Sequence, residues 1–182
     1  MFYMTLATIL IGLLILVKGV GILAKGGKYL AMKKKMLYNR PLGVVVWTAA
    51  VAWTLWEVTK LGPADFGNFK TLLFGIFLAL GVSSIWMLKD YLIVRAGSVL
   101  MLLISWWCLK AAYLQPQWTR LIFVTTVYAM IVAALYFAVA PWRARDILEA
   151  LGKNAKLRKT VGRAYVILGG LLIVVGITYR WV

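Results

Sequence analysis

The sequence predicts an all-α fold, a polytopic bundle of transmembrane helices that forms one domain over residues 1–182. Hydrophobic residues make up 64% of the chain and are gathered into long runs. Charged residues make up only 14%, whereas soluble domains average roughly a quarter. A helix that crosses a bilayer needs about 20 apolar residues. About six runs fit this requirement, over residues 2–24, 42–61, 71–88, 96–114, 121–140 and 161–179.

The first run has the length of a signal peptide but not its charge pattern. Positive charge is missing before the apolar residues, and Lys18, Lys25 and Lys28 come within or after them. Signal peptides have the opposite arrangement. We therefore expect a retained span, in which the long side chain of Lys18 extends its ammonium group toward the nearby helix end.

The basic residues predict the orientation, because cytoplasmic loops carry an excess of Lys and Arg. With both termini outside, the inner junctions hold three times as many basic residues as the outer side. Every junction agrees in direction, so we expect both termini outside and a location in the bacterial inner membrane. The inner set comprises Lys25, Lys28, Lys33, Lys34, Lys35, Arg40, Lys89, Arg95, Arg143, Arg145, Lys153, Lys156, Arg158, Lys159 and Arg163, and the outer set Lys60, Lys70, Lys110, Arg120 and Arg180.

The longest polar interval lies between the last two apolar runs. Its apolar residues recur at helical spacing and its charges occupy another face, which predicts an interfacial helix over residues 142–157. Gly152 weakens this helix by about 1 kcal/mol relative to alanine, so a break there fits the pattern. We expect anionic headgroups as the main partners of the basic face, with an acidic protein as the alternative. The contact residues are Lys33, Lys34, Lys35, Arg143, Arg145, Lys153, Lys156, Arg158 and Lys159.

A weak internal repeat accompanies the inner junctions. A basic residue lies near a glycine at the start of each even-numbered span, as in Arg40 and Gly43, or Arg95 and Gly97. This favours three helical hairpins, each formed by two spans joined on the inner side. The alternative is that any cytoplasmic helix end collects Lys, Arg and Gly.

Glycines recur along one face of the first and last spans. They are seven residues apart in each case, a spacing that keeps small residues on one side of a helix and permits close backbone approach. One interpretation is packing inside the bundle, and the other is docking onto a partner subunit. The glycines are Gly12, Gly19, Gly26, Gly162, Gly169 and Gly176.

Two charged residues lie near the outer ends of parallel spans. Glu57 and Lys110 each come four residues before the predicted end of their span, or roughly 6 Å inside it. Charges at such depth usually face a partner or a cavity. The residues could form an intramembrane ion pair, each could reach headgroup water alone, or they could serve transport.

The composition lacks the usual side chains of enzyme sites. The chain has no His and a single Cys, Cys108, which removes the commonest metal ligand and proton-transfer group. No hydroxyl residue has a base at a diagnostic spacing. We therefore expect no catalytic residue, no cofactor and no metal. The net charge of +16 is explained by the membrane surface, and no nucleic acid is expected as partner.

Three functions remain open. The first is a non-catalytic accessory or scaffold subunit of a larger inner-membrane assembly, which would bind other membrane protein subunits. The second is a small transporter or channel that uses Glu57 and Lys110. The third is a lipid-binding or lipid-processing membrane protein.

Overall fold

The computed structural model describes residues 2–87, 90–116 and 118–179. In these ranges the chain forms eight α-helices and no strand. Six helices, all except α2 and α7, are long and apolar enough to span a membrane, as the sequence predicts. Leu88, Lys89 and Arg180, which enter the predictions above, lie outside the described residues. The helices are α1 (Phe2–Ala24), α2 (Gly26–Leu37), α3 (Arg40–Thr59), α4 (Lys70–Met87), α5 (Leu92–Ala112), α6 (Arg120–Val139), α7 (Trp142–Lys153) and α8 (Ala155–Thr178).

The interfacial helix is predicted over residues 142–157, and the predicted position of its C-terminal end is wrong. The break falls at Asn154, where the backbone is extended and the side chain accepts hydrogen bonds from the backbone N–H groups of Lys156 and Leu157, each at 3.0 Å. These bonds satisfy N–H groups that a helix start leaves without partners. The predicted break at Gly152 does not occur, because α7 continues to Lys153, and residues 155–157 belong to the long helix α8.

The most extensive helix contact joins α1 to α8, which run antiparallel. A Cβ atom built on Gly169 would lie 2.6 Å from the backbone nitrogen of Leu16, and one on Gly19 would lie 2.8 Å from that of Val166. No side chain fits in such a space. In lipid, where apolar surface gains little by leaving the acyl chains, this close contact is a main source of helix association.

The remaining helices pack in a different arrangement from the predicted hairpins. Helix α3 packs on α4 and α5, and α5 packs on α6. Within the described residues, the pairs that the hairpins require (α1 with α3, α4 with α5, α6 with α8) have no extensive contact. The three-hairpin arrangement is therefore not found. In the contact between α3 and α4, Gly81 of α4 lies against Val51, and its carbonyl accepts a hydrogen bond from the Trp47 indole at 2.8 Å.

The best-packed part of the bundle lies among α1, α5, α6 and α8. Met4 and Ile11 of α1 contact a cluster that includes Phe123, Val127 and Leu172, the last three with no exposed surface. These residues lie in the halves of their helices that face away from α2 and α7. The other end of the bundle is left with room for a cavity beneath the two short helices.

Candidate functional site

Helices α2 and α7 pack against each other at one end of the bundle, called the basic end below. Lys34 donates a hydrogen bond to the Glu149 carboxylate at 2.8 Å and forms an ion pair with it. This contact lowers the pKa of Glu149 below its ordinary value. Exposed ion pairs contribute little free energy, so the pair mainly holds the two helices in register.

A second polar link joins α2 and α7 to the start of α5. The hydroxyl groups of Tyr38 and Tyr91 lie 3.4 Å apart, and their ring centroids 5.7 Å. The hydrogen bond with Tyr38 is the largest cause that raises the pKa of Tyr91. Arg145 of α7 lies beside both tyrosines and is fixed by two hydrogen bonds, of 3.0 and 3.2 Å, to Asp146. Both short helices are thus tied to the spans.

A cavity of about 540 Å³ lies behind these links. Its walls come from six helices and are almost entirely apolar. Met36 and Leu37 belong to α2, and Ile147, Leu148 and Leu151 to α7. We call this space the basic-end cavity. Its volume is within the range of pockets that hold small ligands.

Two lysines line the basic-end cavity. Lys18 projects from α1, six residues before the helix ends at Ala24, or roughly 9 Å along the axis. Lys33 projects from α2 and lies close enough to repel Lys18. Among the described lining residues none carries a carboxylate. The cavity therefore combines apolar walls with positive charge that no group of its lining balances.

Two tyrosines complete the polar lining. Tyr29 lies beside Lys33, whose ammonium nitrogen is 5.6 Å from the ring centroid. Partial burial raises the pKa of Tyr29, so its hydroxyl remains a hydrogen-bond donor over the physiological range. Tyr165 of α8 also lines the cavity. Hydroxyl donors and ammonium groups together fit an oxyanion, and the apolar walls fit a hydrocarbon chain.

The predicted basic face divides into residues with different surroundings. Lys33 lines the cavity, and Lys34 and Arg145 are paired with acids. Arg158 lies beside Gly26, where an added Cβ would be 3.4 Å from the guanidinium Nε. The remaining members are exposed: Lys35, Arg143, Lys153, Lys156 and Lys159.

Lys18 and the two tyrosines are the site residues that the sequence interpretation missed. A lysine inside an apolar run was visible, but its spacing from the helix end suggested extension into water. The apolar run around Lys18 does not contain α2, whose residues line the same cavity as Lys18.

The predicted ion pair between Glu57 and Lys110 does not form in the part of the chain that the structure describes. Glu57 pairs with Lys60 at 3.0 Å, and its carboxylate also accepts a hydrogen bond from the Trp53 indole at 3.3 Å. Lys110 lies with its ammonium nitrogen 5.1 Å from the Trp106 ring. The reason is local: Lys60 follows Glu57 by three residues, the spacing of neighbours on a helix.

Five of the six predicted glycines lie in the contact between α1 and α8. Gly12 and Gly19 of α1 face α8, and Gly162, Gly169 and Gly176 of α8 face α1. Their small faces are thus used within the chain. Gly26 instead has a φ of +35° at the junction of α1 and α2, in a region that residues with a side chain seldom adopt.

No family model, curated protein or solved structure matches the chain. The geometry of the basic-end cavity is therefore the basis for a proposed function.

Proposed function

We propose that the protein is a non-catalytic, multi-pass membrane protein that binds an anionic lipid in the basic-end cavity. The basic end would face the cytoplasm of a bacterial inner membrane, with both termini outside. The observation that supports this proposal is the placement of Lys18 and Lys33 in one apolar cavity without a carboxylate in its described lining.

The charge of the headgroup, and not the hydrocarbon of the acyl chains, would select the bound lipid. Acyl chains gain little by moving from the bilayer into an apolar cavity, because lipid tails are as apolar as the cavity walls. Preference for one lipid must therefore come from the headgroup. A phosphate between Lys18 and Lys33 would relieve the repulsion of the two ammonium groups, and each such contact is worth roughly 1 kcal/mol.

Lipid binding by the purified full chain tests the proposal. In native mass spectrometry, the wild-type protein should retain phosphatidylglycerol more than phosphatidylcholine. Lys18→Gln should lower the affinity for phosphatidylglycerol about fivefold, which corresponds to roughly 1 kcal/mol. Lys35→Gln removes an exposed charge of α2 outside the cavity and should change little. Equal losses in both variants, or equal retention of the two lipids, would contradict the proposal.

A second candidate function is that of an accessory subunit, and α4 favours it. This helix packs mainly on α3, and Gly81 is its one buried residue among those described. Gly75, Ala79 and Ser83 form an exposed stripe of small residues along it. Such stripes are typical of faces where transmembrane helices pack, so a partner span would fit there.

The stripe can be blocked without touching the bundle. A Cβ at Gly75 meets no atom within 4 Å, so Gly75→Leu should leave folding intact. If the chain is a subunit, this variant should lose membrane proteins that copurify with the wild type. Gly170→Leu, at another open glycine of the bundle, is the control. Recovery of both variants and the wild type as lone chains would argue against the subunit.

A further inference from the structure

A second apolar space lies at the end of the bundle opposite the basic end. It has a volume of about 580 Å³ and is lined by α1, α3 and α5. Four of the nine tryptophans in the chain line it: Trp53 and Trp56 of α3, and Trp106 and Trp107 of α5. We call it the tryptophan groove.

The charges of the tryptophan groove lie at one end. Glu57 lies in the last turn of α3, which ends at Thr59, and Lys60 directly follows the helix. Lys110 comes two residues before α5 ends at Ala112. Leu14 of α1 lines the groove nearer the middle of its helix. In a bilayer, this gradient matches the shape of a lipid, with its headgroup level at the helix ends and its acyl chains deeper.

The groove already binds ammonium groups of its own chain. The Lys60 nitrogen lies 3.1 Å from the Trp56 ring centroid, and the Lys110 nitrogen lies 5.1 Å from that of Trp106. Indole faces attract cations through their quadrupole. Glu57 adds a carboxylate that pairs with Lys60 and accepts a hydrogen bond from the Trp53 indole. The groove thus presents groups that recognise a cation beside a lysine, Lys110, that has no ion-pair partner in the described chain.

We propose that the tryptophan groove binds a phospholipid with a zwitterionic, amine-bearing headgroup. Its phosphate would pair with Lys110, and its ammonium group would contact the Glu57 carboxylate, which it would share with Lys60. An acyl chain would lie along the leucines of α1. This site depends on the six helices crossing a bilayer, but not on lipid binding in the basic-end cavity.

Tryptophan fluorescence provides the test, because the proposed site contains its own reporters. The full chain is reconstituted in phosphatidylcholine vesicles with a small equal fraction of phosphatidylethanolamine or phosphatidylglycerol that carries brominated acyl chains. Phosphatidylethanolamine should reach the same extent of quenching at an about fivefold lower mole fraction than phosphatidylglycerol. This ratio corresponds to one cation contact of roughly 1 kcal/mol. The Lys18→Gln chain should show the same difference, which separates this groove from the basic-end cavity.

Two variants test the contacts of the headgroup ammonium and of the headgroup phosphate separately. Glu57→Gln should remove the preference for phosphatidylethanolamine, and Lys110→Gln, which leaves the Glu57–Lys60 pair in place, should weaken quenching by both lipids. Lys70→Gln, a basic residue at the same end but outside the groove, is the control. Three results would overturn the proposal: equal quenching by the two lipids in the wild type, a preference that survives Glu57→Gln, or quenching of the Lys110→Gln chain that equals that of the wild type.

Discussion

Gly12 of α1 and Gly169 of α8 lie opposite each other where the two helices approach closely. A Cβ atom on Gly169 would stand 2.8 Å from the Gly12 carbonyl oxygen, and one on Gly12 would stand 3.0 Å from the Gly169 carbonyl oxygen. The first and last spans are thereby held together although they are distant in sequence. This contact fixes α1, and with it Lys18, relative to the basic end of α8.

The contact predicts that alanine substitutions at two neighbouring glycines differ sharply in their effect on stability. Gly169→Ala should destabilise the protein by about 1–3 kcal/mol, because the added methyl group forces the backbones apart. Gly170→Ala, where a Cβ meets nothing within 4 Å, should be neutral or stabilising by up to about 1 kcal/mol through helix propensity. Thermal unfolding in detergent measures both. Similar melting temperatures for the two variants would contradict the close packing.

The link between α2 and α7 should depend on pH. Lys34 lowers the pKa of Glu149 in the folded protein from its ordinary 4.5. The ion pair therefore contributes to stability above that pH, and this contribution is lost as the pH falls through the lowered pKa. Glu149→Gln should therefore speed amide hydrogen exchange in α2 at neutral pH and have little effect in acid. The effect should also shrink at high salt.

Asp146→Asn is the control for this effect, since Asp146 binds Arg145 of the same helix. Exchange in α2 that is indifferent to Glu149→Gln at neutral pH would show that the ion pair does not hold the helices together.

The proposed orientation predicts which positions are open to reagents outside the cell. In a Cys108→Ala chain, a membrane-impermeant maleimide should label Asn68→Cys in intact cells, because residue 68 lies in the exposed connection between α3 and α4. Lys35→Cys should react only after permeabilisation. The reverse labelling pattern would contradict the orientation inferred from the basic residues.

A local strain near the start of α4 predicts a stabilising substitution. Phe66 has a φ of +62° and an exposed side chain, a conformation that is unfavourable for a residue with a Cβ atom by about 1–2 kcal/mol. Phe66→Gly should therefore raise the melting temperature in detergent. Phe69→Gly, at an exposed neighbour outside the left-handed region, should not. A lower melting temperature for Phe66→Gly would show that the ring makes a contact worth more than the strain.

The sequence predicted the helices well because the signals for them are local. An apolar run of sufficient length specifies a spanning helix wherever it packs. The same is true of the bond that replaced the predicted ion pair: Glu57 and Lys60 are three residues apart, and that spacing alone could have indicated their contact.

The sequence did not predict the cavity, because its lining depends on contacts between distant segments. Lys18 and Lys33 come from different helices, and only the fold of α2 and α7 over the span ends brings them together. The glycine faces were visible as a seven-residue pattern, but the pattern does not say which helix covers them. Asn154 was also visible, yet its capping role depends on the backbone turning at that residue.

The location of bound lipid tests the central claim most directly. The full chain in native-like vesicles is exposed to a phosphatidylglycerol analogue with a photoreactive diazirine on its acyl chain, and the adducts are mapped by peptide mass spectrometry. We expect adducts on the cavity-facing residues Ile147, Leu148 and Leu151 of α7, reduced about fivefold by Lys18→Gln and unchanged by Lys35→Gln. Adducts spread over α4 and other exposed faces, with no response to Lys18→Gln, would contradict a lipid site in the basic-end cavity.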